Sequence, residues 1–284
     1  MRRALYGILL ALLLWPGAAR AALSLTPETV VNGGIAVLRW QGETPAAAFG
    51  RFNDRVFFLT SGPGGASALL GADVLLPSGR YPVEVGIVDR RGRAALHRLE
   101  LEVRDAVRPE QRLTLPPAMV TPREPAVLAR IAREQEELAA IFARDDSPPL
   151  WSGFVRPVDD PLGSLFGLRR VLNGEQRAPH SGVDFRSPLG TPVRAAGRGR
   201  VAAAADFYYL GRTVILDHGD GLFTLYGHLR KLHCREDQLL EPGDVLGEVG
   251  STGRSTGPHL HWGVQLRGAK VDPMLLLELA GKGT

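Results

Sequence analysis

Three short motifs near the carboxyl end constrain this chain most: H-S-G-V-D at 180–184, L-Y-G-H-L at 225–229 and G-P-H-L-H-W-G at 257–263. Each sets a histidine or an aspartate among glycines, in stretches that read as short strands and tight turns. Four of the seven histidines, His180, His228, His259 and His261, fall in these motifs together with Asp184. Two imidazoles and one carboxylate make a three-ligand zinc set that leaves one coordination position open for water, and two histidines remain for proton transfer. That count suggests a hydrolase with one Zn2+ per chain.

Spacing narrows the geometry without completing it. His259 and His261 are two residues apart, so on a strand both side chains share a face, ~6.6 Å apart along the backbone. Both could bind one metal, or one could bind while the other acts as a base; spacing does not choose. His180 and Asp184 would stand ~13 Å apart on a straight strand, too far to share an ion, and Gly182 between them offers a bend. With a net +1 at such a site, a bound water ionises near pH ~7. The remaining histidines would accept its proton, donate to a leaving amine or stabilise an oxyanion.

The rest of the chain predicts a mainly β protein. Residues 150–280 read as a nearly all-β domain, with short strands such as 191–195, 213–217, 222–226 and 259–264 carrying the motifs in a groove. Residues 22–104 show β-branched and aromatic runs punctuated by Gly33-Gly34, Gly62-Pro-Gly-Gly65 and Pro77-Ser-Gly79. That spacing suggests a small β-sandwich, immunoglobulin-like in subtype. Residues 105–149 form a linker with an amphipathic helix at about 122–143, opened by a Thr121-Pro122-Arg123-Glu124 capping box. Val127, Ile131, Leu138 and Phe142 supply its apolar side, and Arg130, Arg133, Glu134 and Glu137 a solvated one.

The amino terminus reads as a secretory signal over 1–21: Arg2-Arg3, an apolar run from Ala4 to Trp15, then Ala19-Arg20-Ala21 as a small-x-small cleavage site. The run falls short of the ~20 residues that span a bilayer, and no cysteine follows it to carry lipid, so no stable membrane anchor is expected after cleavage. The signal also holds three arginines and no acid, so it takes three of the four net positive charges with it. A nucleic-acid partner is therefore not implied by the sequence pI of 9.6. Cys234, alone in the chain, cannot form an internal disulfide and reads as a partly buried thiol. His97, His218 and His233 match no motif; the last two read as satisfied surface or loop histidines.

The motifs taken in order, H-S-G-V-D-F with Gly190-Thr191-Pro192-Val193, L-Y-G-H-L, and G-S-T-G-R-S-T-G-P-H-L-H-W from Gly250 to Trp262, resemble the lysostaphin-type, LytM-like zinc endopeptidases over about residues 150–275. The resemblance implies hydrolysis of peptide bonds in bacterial peptidoglycan. It assigns His180, Asp184 and His261 as zinc ligands and His228 with His259 as the catalytic pair. Tyr226, Asn173 and Arg170 are candidate substrate-positioning residues. Stem-peptide cross-links are the expected substrate and glycine bridges the runner-up, in a periplasmic or extracellular, wall-associated setting.

Two alternatives are weighed against it. A non-haem iron oxygenase also uses two histidines and a carboxylate, but the short H-x-D/E spacing is absent and two histidines would be left without a task. A zinc-holding adaptor that binds the wall or activates a partner amidase would resemble members of the family that have lost ligands, whereas this sequence keeps all five positions. Residues 22–150 are further expected to restrain the groove intramolecularly.

Overall fold

The computed structural model describes residues 22–62, 64–144 and 147–280; the expected signal at 1–21 lies outside the described residues. The protein is mainly β, and among the described residues no helix is long and apolar enough to cross a membrane. The chain divides into two compact units. The first holds the described residues to Thr29 with Ala36–Leu70 and Arg80–Glu102. The second holds Val30–Ile35, Gly71–Gly79 and the described chain from Val103. Two short segments from within the expected amino-terminal module thus belong with the second unit. There, Arg108 donates to Asn32 Oδ1 at 2.5 Å, and the Val74 N–H donates to Lys270 O at 3.1 Å.

In the amino-terminal region, four strands run in the order Ala22–Thr26, Ile35–Gln41, Gly65–Gly71, Thr60–Gly62. Five run in the order Thr29–Val31, Ala94–Arg104, Gly79–Val88, Ala47–Phe52, Arg55–Phe58. Exposure alternates along Ala47–Phe52, and Val83, Val85 and Ile87 are buried along Gly79–Val88, because side chains two apart share a face of a strand.

The second unit centres on a ten-stranded sheet. Its main path is Leu162–Ser164, Gly182–Phe185, Leu260–Leu266, Leu222–Leu232, Gly211–Asp217, Gly199–Phe207 and Leu239–Leu240. Its core strands are rich in Val, Ile, Leu and aromatic residues, and Phe185, Ile215, Leu216, Phe223 and Trp262 are fully buried. A smaller sheet pairs Glu110–Leu113 in parallel with Arg169–Leu172, which returns through Asn173-Gly174 to Glu175–Gln176. Both turn residues have positive φ, +51° and +86°, as a two-residue hairpin turn of the right twist requires. Part of the expected linker is therefore a strand of this unit.

The long helix runs Pro125–Phe142 rather than from 122, and the capping box does not form. Proline at 125 excludes helical geometry at the residue before it, and Glu124 sits extended at ψ 126° without a side-chain cap bond. Thr121 instead closes the short helix Pro117–Val120, its N–H on Pro117 O at 2.8 Å. A missing cap costs ~1 kcal/mol. Burial of Ile141, with Leu138 and Phe142 packed beside it, against Ala203, Phe207, Ile215 and Phe223 outweighs this, at ~1.5–3 kcal/mol for each fully buried large side chain. The charged side is not wholly solvated: Glu134 accepts the Tyr208 N–H at 2.7 Å while pairing with Arg130 at 2.6 Å.

His218 is a core residue, not a surface one. Its Nδ1 bonds Arg198 O at 2.7 Å, and its Nε2 meets Thr224 Oγ1 at 2.8 Å. Burial pushes its pKa from 6.5 down to about 4. The unfolded chain therefore binds this proton more readily between those values, and the stabilisation is fully present above pH 6.5 and lost as pH falls toward 4. A shift of this size amounts to about 3 kcal/mol. Denaturant unfolding of His218→Asn and wild type at pH 7.5 and 4.5 is expected to show a shallower fall in the variant; identical falls would contradict it.

Candidate metal centre and groove

The register of the large sheet assembles the site. Asp184 lies directly opposite His261, and His261 opposite Gly227, so three neighbouring strands place the three residues in one row. His180 stands just before Gly182–Phe185, held by its own N–H on Leu168 O (2.9 Å) and by the Gly167 N–H on its carbonyl (2.8 Å). The chain is thus not a straight strand from His180 to Asp184, and His180 Nε2 comes to 3.0 Å from Asp184 Oδ1. Gly182 is required by space: a Cβ there would stand 2.3 Å from Trp262 O and 2.8 Å from His261 Cε1.

His180 Nε2, Asp184 Oδ1 and His261 Nδ1 lie 2.9–3.0 Å from one another. His180 Nδ1 bonds Leu165 O at 2.9 Å. A carbonyl only accepts, so Nδ1 carries the proton and Nε2 presents a lone pair to the other two donors. Lone pairs meeting at this distance call for a cation between them. Zinc at ~2.0–2.1 Å from each donor in tetrahedral geometry needs donors ~3.3 Å apart, a spread of a few tenths of an ångström. The buried group fits one zinc ion. Burial opposes charge on Asp184, yet the two imidazoles packed against its Oδ1 hold its carboxyl well below the usual range. Burial lowers the His261 pKa to about 4 against the opposing pull of Asp184.

His228 and His259 complete the cluster, with ring centroids 4.7 Å apart. His228 sits where the Leu222–Leu232 strand bulges against Gly211–Asp217, at φ +62°, an uncommon conformation for a residue other than glycine. Its Nδ1 bonds Thr252 O at 2.8 Å, and burial plus the neighbouring histidines lower its pKa to about 3. His259 Nδ1 bonds Gly257 O at 2.8 Å, and its Nε2 lies 3.9 Å from Asp184 Oδ1. Both rings are thus fixed in the tautomer that leaves Nε2 free.

The cluster opens into a groove of about 320 Å³. Arg170 lines it, Nη2 at 3.5 Å from Asp184 Oδ2, with its Nε buried and unbonded. Two other sequence candidates, Tyr226 and Asn173, are not among the residues that line the groove. Tyr226 is fully buried; its hydroxyl accepts the Ala196 N–H at 2.8 Å and lies 2.9 Å from Thr224 Oγ1, with burial lifting its pKa to about 12. It braces the sheet behind the site and cannot meet a substrate. Asn173 grips the Leu115 backbone through both amide atoms, at 2.8 and 2.9 Å, and holds the groove wall in place. The thiol of Cys234 is pushed up to about 11 by burial, an unreactive group.

Groove residues outside the sequence candidates include Gln111, Leu113, Leu115, Ser164, Arg186 and Arg254. Arg254 stands inside the G-R-S-T-G run and was open to notice. Gln111, Leu113 and Leu115 had no local signal, because the parallel pairing of Glu110–Leu113 brings that stretch to the site, and Ser164 is placed by its pairing opposite Asp184.

A family profile, Peptidase family M23, matches residues 178–273, which contain all five site residues. The chain is 40% identical over 121 residues to peptidoglycan DD-endopeptidase ShyA of Vibrio cholerae, covering 42% of this chain and 28% of that protein. It is 42% identical over 113 residues to the DD-carboxypeptidase/endopeptidase Mpg of Neisseria meningitidis, covering 40% and 26%. The matched stretch spans about a quarter of the length of these curated relatives. A solved structure from Pseudomonas aeruginosa, described as a peptidase M23, is 31% identical, with a TM-score of 0.68, over 87% of this chain and 94% of that one. With likeness extending over nearly the whole of both chains, this protein belongs to peptidase family M23.

Proposed function

We propose that this protein is an exported zinc endopeptidase that hydrolyses peptide cross-links of peptidoglycan in the periplasm or cell wall. One observation carries the reading: three lone-pair donors converge within 3.0 Å, with two carbonyl-tethered imidazoles beside them at the floor of a groove. The names of the curated relatives support peptide cross-links as the substrate.

His180, Asp184 and His261 hold zinc, which supplies Lewis acidity to polarise a carbonyl and ease ionisation of water. The other steps fall to the chain. His259 Nε2 accepts the proton of the attacking water, and Asp184 at 3.9 Å stabilises the resulting imidazolium. The water oxygen bonds the scissile carbon, and the same proton passes to the leaving nitrogen as the C–N bond breaks. His228, kept neutral by burial, offers Nε2 to orient the water and keeps a second positive charge away from the ligands.

Digestion of cross-linked muropeptide dimers, followed by mass spectrometry, tests the activity: monomers are expected, and intact dimers would overturn it. Adaptor behaviour would show as zinc retention with dimers uncleaved.

Restraint of the groove by residues 22–150 is supported by Gln111, Leu113 and Leu115 along its wall. Leu113→Ala, which trims the wall and keeps every element of the unit, is expected to turn over muropeptides faster than the unaltered mature chain. Equal or slower turnover would contradict the restraint.

A further inference from the structure

The groove is over-supplied with positive charge. Its lining carries Arg170, Arg186 and Arg254 against a single acid, Asp184. That carboxylate is already engaged: Oδ1 meets His180 and His261, and Oδ2 reaches Arg170 only at 3.5 Å, beyond the ~2.7–2.9 Å of a strong charge-assisted bond. Arg170 Nε is buried without a partner. Among the described residues Arg254 has no carboxylate partner; its guanidinium stacks over Tyr209, 4.4 Å from the ring centroid, and its backbone N–H donates to Tyr209 O at 2.9 Å. A largely buried guanidinium with only a long contact to a carboxylate, beside a second one with no carboxylate partner among the described residues, is costly until a further anion completes the two.

We propose that Arg170 and Arg254 form a carboxylate-binding subsite, which takes a free carboxylate carried by the peptide substrate next to its scissile bond. The planar fork of arginine matches a carboxylate in two parallel bonds, and a partly desolvated pair is worth more here than in water. Gln111 lies on the same groove; its Nε2 donates to Ser164 Oγ at 3.0 Å, leaving Oε1 buried and unbonded, an acceptor for a substrate N–H. The subsite rests on the peptidase reading for its ligand. The carboxylate has two sources, the carboxyl terminus of the peptide chain or a carboxylate on a side chain.

Three versions of one cross-linked peptide decide it: all carboxylates free, the terminal one amidated, and the side-chain one amidated. For the wild-type zinc protein, one amidation is expected to lower kcat/KM by about 10–100-fold, chiefly through KM, and which one identifies the source. Arg254→Gln is expected to lose the preference, cleaving free and amidated peptides alike. Because the preference is a ratio within each protein, a lower yield of folded variant cancels. Insensitivity of the wild type to both amidations, or a preference that persists in Arg254→Gln, would overturn the subsite. Affinity is read separately by calorimetry on the full-length zinc-loaded protein carrying His228→Ala. If no peptide is cleaved by the wild type, the peptidase reading falls. A carboxylate preference in affinity, lost with Arg254→Gln, would then still uphold the subsite, and its absence would overturn it.

Discussion

Asp184→Ala is expected to release the zinc and to lower kcat/KM by on the order of 10³-fold or more, the loss of several kcal/mol of transition-state stabilisation. Asp184 Oδ1 lies within 3.0 Å of both ligand histidines, and its Oδ2 is the carboxylate oxygen nearest Arg170. Removing it leaves two imidazoles too few to hold the ion firmly and a largely buried guanidinium with no counter-charge. Breaking such a pair from one side costs ~3–5 kcal/mol, so a fall in thermal stability should accompany the loss of metal. Asp184→Asn separates the two effects, since it keeps the shape but supplies a neutral ligand. Zinc content by atomic emission, with kcat/KM on the same preparations, checks this. Full zinc occupancy in Asp184→Ala would refute the assignment.

The second large effect leaves the metal in place. His228→Ala and His259→Ala are each expected to keep one zinc per chain while kcat falls ~10²–10⁴-fold, the usual contribution of a positioned acid or base. The physical reason is the tautomer. In both rings Nδ1 is tied to a backbone carbonyl at 2.8 Å, so only Nε2 serves the reaction. His228→Ala also leaves Thr252 O without its donor, so it should be less stable than His259→Ala. Zinc loss in either variant would move that histidine into the ligand set. Unchanged turnover in both would favour an adaptor.

How far these roles could be read from the chain depended on the range of the interaction. The motif residues were legible because chemistry limits which side chains bind zinc, and because strand period puts His259 and His261 on one face. Their division of labour was not. It depends on the bulge that turns His228 inward and on the cross-strand row of Asp184, His261 and Gly227. Tyr226 looked like a site residue because it sits in a motif, yet the same strand alternation directs it into the core. His218 misled in the opposite sense: its neighbours Asp217 and Gly219 suggest a loop, while Thr224 and Arg198 O satisfy both ring nitrogens in the interior. The helix start failed on a local rule, since Pro125 forbids a helical Glu124. The groove wall at 110–115 was out of reach, because a parallel pairing between distant segments leaves no periodic trace in either.

If one zinc held by His180, Asp184 and His261 drives hydrolysis of peptide cross-links, zinc content and muropeptide cleavage change together when both are followed before chelation, after it, and after zinc is titrated back. Cleavage is expected to vanish with the metal and to return in proportion to bound zinc, reaching full activity at one ion per chain. Cleavage that survives complete removal of metal, or stoichiometric zinc without any cleavage, would contradict the account.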